Sequence, residues 1–164
     1  MKCANPFTNC VKVLHSGKLI FGTTILQTHS MKSILLIEDN NDILENLIEY
    51  LEMFGYKILS AKNGKTGIEL AKTFKPDLII CDVLMPEMDG HEVLRLLIES
   101  ELTCNIPFIF STSVCEKYDR TEALKLGADD YIIKPFDMEI FLQMIEKWTN
   151  SDIPNKQRSR NCMV

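Results

Sequence analysis

Near the middle of the chain the sequence reads Asp77-Leu78-Ile79-Ile80-Cys81-Asp82. A short apolar run without polar alternation is typical of a strand that is covered on both faces of a parallel sheet. A second such run, 34–39, also ends in acidic residues, and a third, 131–134, ends in Lys134. If these strands are neighbours in one parallel sheet, their carboxyl ends bring several carboxylates and one ammonium group together. The pattern therefore predicts a cation site that handles a phosphoryl group.

Apolar strand patterns alternate with amphipathic helical segments from Met31 onwards. This alternation predicts an α/β fold with a doubly wound, five-stranded parallel sheet. A sheet order of 2-1-3-4-5 would place the first and third strands beside the point where ligands bind in open α/β sheets. The predicted strands are 33–38, 56–60, 77–82, 106–111 and 131–134. The predicted helices are 41–54, 65–75, one starting at the N-cap Asp89, one ending near Gly127, and one from Asp137 to Trp148.

The composition is that of a globular domain, with 46% hydrophobic and 25% charged residues among 164. A formal net charge of -5 argues against nucleic acid as the main partner. No apolar stretch approaches the roughly 20 residues that span a bilayer. The six cysteines form no CxxC pair and no histidine lies at zinc-ligand spacing. These features argue against a metal–thiolate site and favour the reducing cytoplasm.

The two ends of the chain differ from the regular part, which is predicted as one domain over 31–148. Residues 1–30 lack a clear period and are predicted to be an N-terminal extension. The favoured interpretation is an in-frame extension upstream of a natural start at Met31; a disordered functional arm or an extra docked element is the alternative. Residues 149–164 are polar and mildly basic and are predicted to be a flexible tail.

Each charged residue of the predicted site has an ordinary structural explanation when it is taken alone. Glu38 and Asp39 could complement the positive N-terminus of the first helix. Asp82 could be a loop residue, and Lys134 a solvated surface lysine. Their common position at strand ends, in this order and spacing, favours a site over these separate explanations.

Four segments form a highly specific pattern when they are read together. They are Ile37-Glu38-Asp39-Asn40, Asp82-Val83-Leu84-Met85-Pro86-Glu87-Met88-Asp89-Gly90, Ile106-Pro107-Phe108-Ile109-Phe110-Ser111-Thr112-Ser113 and Gly127-Ala128-Asp129-Asp130-Tyr131-Ile132-Ile133-Lys134-Pro135-Phe136. On these segments, the span from Met31 to about Trp148 resembles the receiver domain of two-component response regulators. The resemblance implies the flavodoxin-like receiver fold.

The resemblance also implies the roles of the acidic residues. Asp82 would accept the phosphoryl group and contribute to a Mg²⁺ (or Mn²⁺) site. Asp39 would bind the ion directly, Glu38 through water, and Leu84 through its main-chain carbonyl group.

The remaining site residues follow from the same resemblance. Thr112 would be the switch hydroxyl that binds a phosphoryl oxygen, with Ser111 as the competing candidate. Lys134 would pair with the phosphoryl group, and its peptide bond to Pro135 is expected to be cis. Tyr131 would be the aromatic switch that turns inward on phosphorylation; its ordinary structural explanation is a half-buried strand tyrosine, and both can hold at once.

In function, the resemblance implies a phosphorelay protein that is not an enzyme beyond its own phosphorylation and slow dephosphorylation. Leu84 and Val114 occupy two positions that tune phosphoryl lifetime in the family, and both are apolar, which predicts a long-lived aspartyl phosphate. The donor would be a sensor histidine kinase or a histidine phosphotransfer protein. Phosphorylation would change a surface formed by the fourth helix, fifth strand and fifth helix, which binds an unknown downstream protein or a second copy of the chain.

Two alternatives remain from the sequence. The domain could be a constitutive interaction module with a vestigial site, but the intact acidic residues and lysine argue against this. A phosphatase with an aspartate nucleophile is disfavoured because the residue two positions after Asp82 is Leu84, where such enzymes commonly place an acid. Since only a short tail follows Trp148, the sequence favours a single-domain regulator.

Overall fold

A computed structural model describes residues 31–113 and 120–150. The predictions for residues 1–30, for Val114 and for the tail beyond Asn150 lie outside the described residues. Within the described ranges, no helix combines the length and the apolar character needed to cross a membrane.

Five strands alternate with five helices along the described residues and form a three-layer α/β fold. All strand pairs are parallel, and the sheet order is β2-β1-β3-β4-β5, which confirms the predicted fold class. The elements are β1 (Ser33–Ile37), α1 (Asn41–Met53), β2 (Lys57–Ala61), α2 (Gly64–Phe74), β3 (Leu78–Asp82), α3 (Gly90–Ile98), β4 (Phe108–Thr112), α4 (Arg120–Lys125), β5 (Asp130–Ile133) and α5 (Met138–Asn150).

Most of the predicted helix and strand boundaries differ from the observed ones by one or two residues. β4 begins at Phe108 rather than at 106, because Pro107 has no N–H group to donate to a sheet. It extends to Thr112, which therefore belongs to the strand end. α5 continues through the buried Thr149 to Asn150.

The core consists of two apolar layers, one on each side of the sheet. Successive strand residues point to opposite faces, so each strand contributes to both layers. The layer under α2, α3 and α4 includes Leu35, Ile37, Ile79, Cys81, Phe108, Phe110 and Tyr131. The opposite layer, called here the α1/α5 face, includes Ile34, Leu36, Ile80, Ile109, Ile132, Phe141 and Ile145. Because both faces are covered, the strands are apolar throughout, as the unalternating sequence pattern predicted.

Two capping residues begin the helices that follow the acidic strand ends. Asn40 accepts hydrogen bonds from the N–H groups of Asp42 (3.0 Å) and Ile43 (3.2 Å) through its side-chain oxygen. Asp89, the predicted N-cap of α3, accepts one from the N–H group of Glu92 at 2.8 Å. These caps fix where the chain turns from β1 into α1 and from the β3 loop into α3.

Candidate functional site

The three predicted acidic residues lie together at the carboxyl edge of the sheet. β1 and β3 are adjacent parallel strands, so the residues that end them share one edge. One carboxylate oxygen from each of Glu38, Asp39 and Asp82 lies within 4.8 Å of the other two. Glu38 and Asp82 are 4% and 7% exposed, whereas Asp39 is exposed to solvent. The site is therefore mostly buried and opens to solvent on the Asp39 side.

Lys134 joins this acidic cluster from the other side of β4. Its Nζ atom lies 2.5 Å from Glu38 Oε2 and 3.0 Å from Asp82 Oδ2. The main-chain N–H group of Lys134 donates to the carbonyl oxygen of Thr112 at 2.8 Å, which anchors the lysine at the end of β4. The peptide bond from Lys134 to Pro135 is cis, as expected. The structure thus brings the ammonium group into direct contact with two of the three acids.

Each carboxylate oxygen of Asp82 has its own set of donors. Oδ2 accepts from Lys134, while Oδ1 accepts from the N–H groups of Val83 at 2.6 Å and Leu84 at 3.3 Å. Two amides on one side and one ammonium group on the other hold the carboxylate in a single orientation. Leu84 itself is 55% exposed.

The pKa of Glu38 lies above its ordinary value of 4.5. Burial is the main cause, because it disfavours the charged form, and the negative charge of Asp82 acts in the same direction. The hydrogen bond and the positive charge of Lys134 oppose the increase but do not cancel it. The Lys134 ammonium group therefore does not fully offset the burial of the Glu38 carboxyl group.

The cluster fits a hard divalent cation. Its donor atoms are carboxylate oxygens, with no thiolate or imidazole among them. Mg²⁺ prefers such oxygen ligands and commonly uses one or two carboxylates together with water. An added divalent charge would also relieve the repulsion between the three acids.

Of the two predicted switch residues, Thr112 lies next to the site and Tyr131 lies in the core. Thr112 ends β4 and is 1% exposed. Tyr131 is 8% exposed and packs in the same apolar layer as Phe110. Tyr131 is thus a buried core residue in this structure.

Gly90 has a role that sequence reasoning missed, although the residue was part of a quoted motif. Its N–H group donates to the carbonyl oxygen of Val83 at 2.9 Å. A Cβ atom at this position would lie 2.3 Å from the Asp82 carbonyl oxygen and 3.0 Å from Val83 Cα. Only glycine allows α3 to begin this close to the end of β3. A glycine directly after the N-cap Asp89 was the available signal.

Asp130, at the start of β5, was also missed. It is 3% exposed, and its Oδ2 atom accepts from Lys147 Nζ at 3.0 Å and from Trp148 Nε1 at 3.1 Å. Burial alone would raise the pKa of Asp130, but these hydrogen bonds outweigh it and hold the pKa below the ordinary 3.8. An acidic residue at the start of an apolar strand was the signal for such a buried, paired carboxylate.

Comparisons with known proteins point in the same direction as this geometry. The family model described as response regulator receiver domain matches residues 34–146. The chain is 40% identical over 105 residues to the alkaline phosphatase synthesis transcriptional regulatory protein PhoP of Bacillus subtilis, covering 64% of this chain and 43% of that protein. It is 35% identical over 115 residues to protein PilH of Pseudomonas aeruginosa, covering 70% of this chain and 95% of that protein.

A solved structure shows the same fold. The receiver domain of the sensor histidine kinase PA1611 from Pseudomonas aeruginosa, with a magnesium ion coordinated in its active site cleft, matches with a TM-score of 0.67 and 28% identity. The match covers 74% of this chain and all of that chain (100%). The present chain spans less than half the length of PhoP and nearly all of PilH.

Proposed function

Because the chain belongs to the response regulator receiver domain family, we propose that it carries a phosphorelay signal as a phosphoryl group on Asp82. One observation carries the proposal: the buried Asp82 carboxylate lies within 4.8 Å of Glu38 and Asp39 oxygens and 3.0 Å from Lys134 Nζ. A nucleophilic carboxylate, a cation site and a counter-charge for phosphoryl oxygens are the parts that phosphoryl transfer to an aspartate requires.

The transfer step is a displacement at phosphorus. An oxygen of the Asp82 carboxylate forms the new O–P bond, while the bond from phosphorus to the donor nitrogen or acyl oxygen breaks. The leaving group keeps the electron pair, so nothing is oxidised or reduced. Lys134 neutralises negative charge on the phosphoryl oxygens, and the amide groups of Val83 and Leu84 keep the carboxylate oriented.

The acidic cluster is proposed to hold Mg²⁺, with Mn²⁺ as a substitute of the same oxygen preference. The direct protein ligands would be Asp39, Asp82 and the main-chain carbonyl group of Leu84, and Glu38 would bind the ion through water. When bound, the ion supplies positive charge that offsets both the carboxylate repulsion and the charge of the incoming phosphoryl group.

The output is proposed to be a change at the surface formed by α4, β5 and α5. A phosphoryl group adds a charge of about −1.5 to −2 and strong acceptor oxygens, which the Thr112 hydroxyl and Lys134 would bind. This surface and the turn that follows α4 carry exposed apolar side chains that suit partner binding, namely Leu124, Leu126, Ile133 and Ile140. A sensor histidine kinase or phosphotransfer protein would be the donor, and a downstream protein or a second copy would bind the changed surface.

Labelling with an acyl phosphate in the presence of Mg²⁺ tests the proposal. We expect a stable label on the wild type and none on Asp82→Asn. Asp89→Asn is a matched control, because asparagine also caps a helix and the label should remain. Absence of any label would support a constitutive interaction module, and rapid release of phosphate without a stable label would support an enzyme.

A further inference from the structure

Ser111 carries a buried hydroxyl group that is unpaired among the described residues. The residue is 2% exposed, and its Oγ atom has no hydrogen-bond partner within 31–113 and 120–150. A buried hydroxyl without a partner destabilises the folded state relative to an apolar group of the same size. Buried polar groups are nearly always hydrogen-bonded, so an exception of this kind calls for an explanation.

The strand register places Ser111 directly beside the proposed phosphoryl acceptor. Ser111 on β4 is in register with Asp82 on β3 and with Ile132 on β5. Residues in register on parallel strands point to the same face, and Ile132 lies in the α1/α5 layer. The Ser111 side chain therefore lies on the α1/α5 face next to Asp82, while the following Thr112 points to the opposite face.

The Lys134 side chain passes the same place. Lys134 follows β5, and its ammonium group reaches Asp82 at the end of β3, so the side chain crosses the end of β4, which lies between them. An ammonium group has three N–H donors. Glu38 and Asp82 accept from Lys134 in this structure, and the lysine side chain is only 10% exposed.

A movement of this ammonium group changes its hydrogen-bonding requirements. If Asp82 carries a phosphoryl group, the ammonium group is drawn towards the new oxygens and away from its present contacts. A nearly buried N–H group that loses an acceptor costs free energy unless another acceptor replaces it. A neutral oxygen atom at the end of β4 could be this replacement acceptor. It would not compete with the phosphoryl group for the positive charge of the ammonium group.

We propose that Ser111 is a positioning residue for Lys134. Its hydroxyl oxygen accepts a hydrogen bond from the Lys134 ammonium group when that group turns towards a phosphoryl group on Asp82. The inference rests on the proposed phosphorylation of Asp82 and deepens it. The two adjacent hydroxyl groups then have different roles. Thr112 binds the phosphoryl oxygen itself, and Ser111 holds the Lys134 ammonium group from the other face of the sheet.

Two variants of equal shape isolate the hydroxyl group. Ser111→Thr and Ser111→Val both add bulk. They differ from each other only in that threonine has a hydroxyl group where valine has a methyl group. Phosphorylation by an acyl phosphate with Mg²⁺ is expected to be about tenfold slower in the valine variant than in the threonine variant. The affinity for beryllium fluoride, a phosphoryl analogue, should fall by a similar factor and reports the same contact without turnover.

The variant Ser111→Ala is expected to change stability and reactivity in opposite directions. Removing an unpaired buried hydroxyl group should raise Tm by about 3 °C while phosphorylation slows. A merely structural residue would not combine greater stability with slower phosphorylation. Ser113→Ala, which removes an exposed hydroxyl group two positions further along, should change neither quantity.

The outcomes separate this inference from the function on which it rests. Labelling of the wild type but not of Asp82→Asn decides the proposed function. If that labelling succeeds and the threonine and valine variants react at equal rates, Ser111 has no positioning role. A lower Tm for Ser111→Ala would equally overturn the inference, because it would show that the hydroxyl group already has a stabilising partner.

Discussion

Asp82 is held differently at its two oxygens, and this difference matters for its proposed chemistry. Oδ1 accepts from two main-chain amides, which cannot leave without unfolding the loop. Oδ2 accepts from Lys134, a side chain that can follow a new charge. The carboxylate is thus oriented by the backbone and neutralised by a group that can move.

The lifetime of the phosphoryl group should depend on the exposed side chain of Leu84. An apolar side chain at this position cannot orient an attacking water molecule by hydrogen bonding. We predict that Leu84→Asn combined with Val114→Glu will speed decay of the aspartyl phosphate by about tenfold or more, because polar side chains at these positions can orient the attacking water molecule. Loss of label from isolated protein measures it; Leu84→Met should decay like the wild type, and equal decay of the double variant would contradict the prediction.

Glu87 lies in the loop after Asp82 and has an unfavourable backbone conformation. Its φ angle is +65°, in the left-handed region that a glutamate rarely adopts. Asparagine tolerates this region better, so Glu87→Asn should raise the free energy of unfolding by about 0.5–1 kcal/mol. Urea denaturation measures the change. Glu87→Ala removes the same charge but keeps the backbone cost, and an equal gain from both variants would refute the explanation.

At the scale of elements, Asp130 joins the start of β5 to the last turns of α5. Asp130→Asn should lower the free energy of unfolding by about 1–3 kcal/mol at neutral pH, because Lys147 and Trp148 lose a charged acceptor. The folded-state pKa is depressed, so the contribution of the carboxylate is complete above the unfolded-state pKa and is lost as pH falls through the folded-state pKa.

The difference between wild type and Asp130→Asn should therefore shrink as the pH is lowered below about 4. Urea denaturation from pH 7 to pH 2.5 measures this, with Trp148, the single tryptophan of the chain, as the fluorescent probe. Lys147→Met removes one side-chain donor and leaves Trp148 in place, so it should have an intermediate effect. A difference that stays constant with pH would show that the Asp130 carboxylate is not the source.

At the scale of the whole molecule, metal binding and stability should be linked through the acidic cluster. Mg²⁺ at ten times its Kd should stabilise the wild type by about 1.4 kcal/mol, because the ion binds only the folded chain. Asp39→Asn should remove this gain and, in the presence of a chelator, should be more stable than the wild type by about 0.5–1 kcal/mol, since it relieves carboxylate repulsion.

Thermal unfolding with Mg²⁺ or chelator measures both effects of Asp39→Asn. Asp42→Asn is the matched control, because this exposed aspartate in the first turn of α1 lies outside the cluster and its loss should leave the Mg²⁺-dependent gain unchanged. A Mg²⁺-dependent gain that survives in Asp39→Asn would place the ion elsewhere.

Much of the fold could be predicted because its signals are local. Runs such as 77–82 are apolar without alternation, and such a run is typical of a strand covered on both faces. Asp89 was correctly predicted as a helix cap from its type and place alone. The start of β4 at Phe108 was missed because the apolar pattern continues through Pro107, which accepts a hydrogen bond from the N–H group of Ile79 on β3 but has no N–H group of its own to donate to the sheet.

The amino-acid sequence by itself determined which residues could meet, since Asp82 ends a strand, Glu38 and Lys134 each directly follow one, and parallel strands end at one edge. Only the tertiary structure decided which of them touch and what surrounds them. Three features depend on how the elements pack: Lys134 bridges two acids, Gly90 admits no Cβ atom, and the Ser111 hydroxyl group has no partner in the part of the chain that the structure describes. A local sequence pattern indicates burial and turn geometry. It does not indicate the distances between side chains of different elements, because these are set by how complete elements pack together.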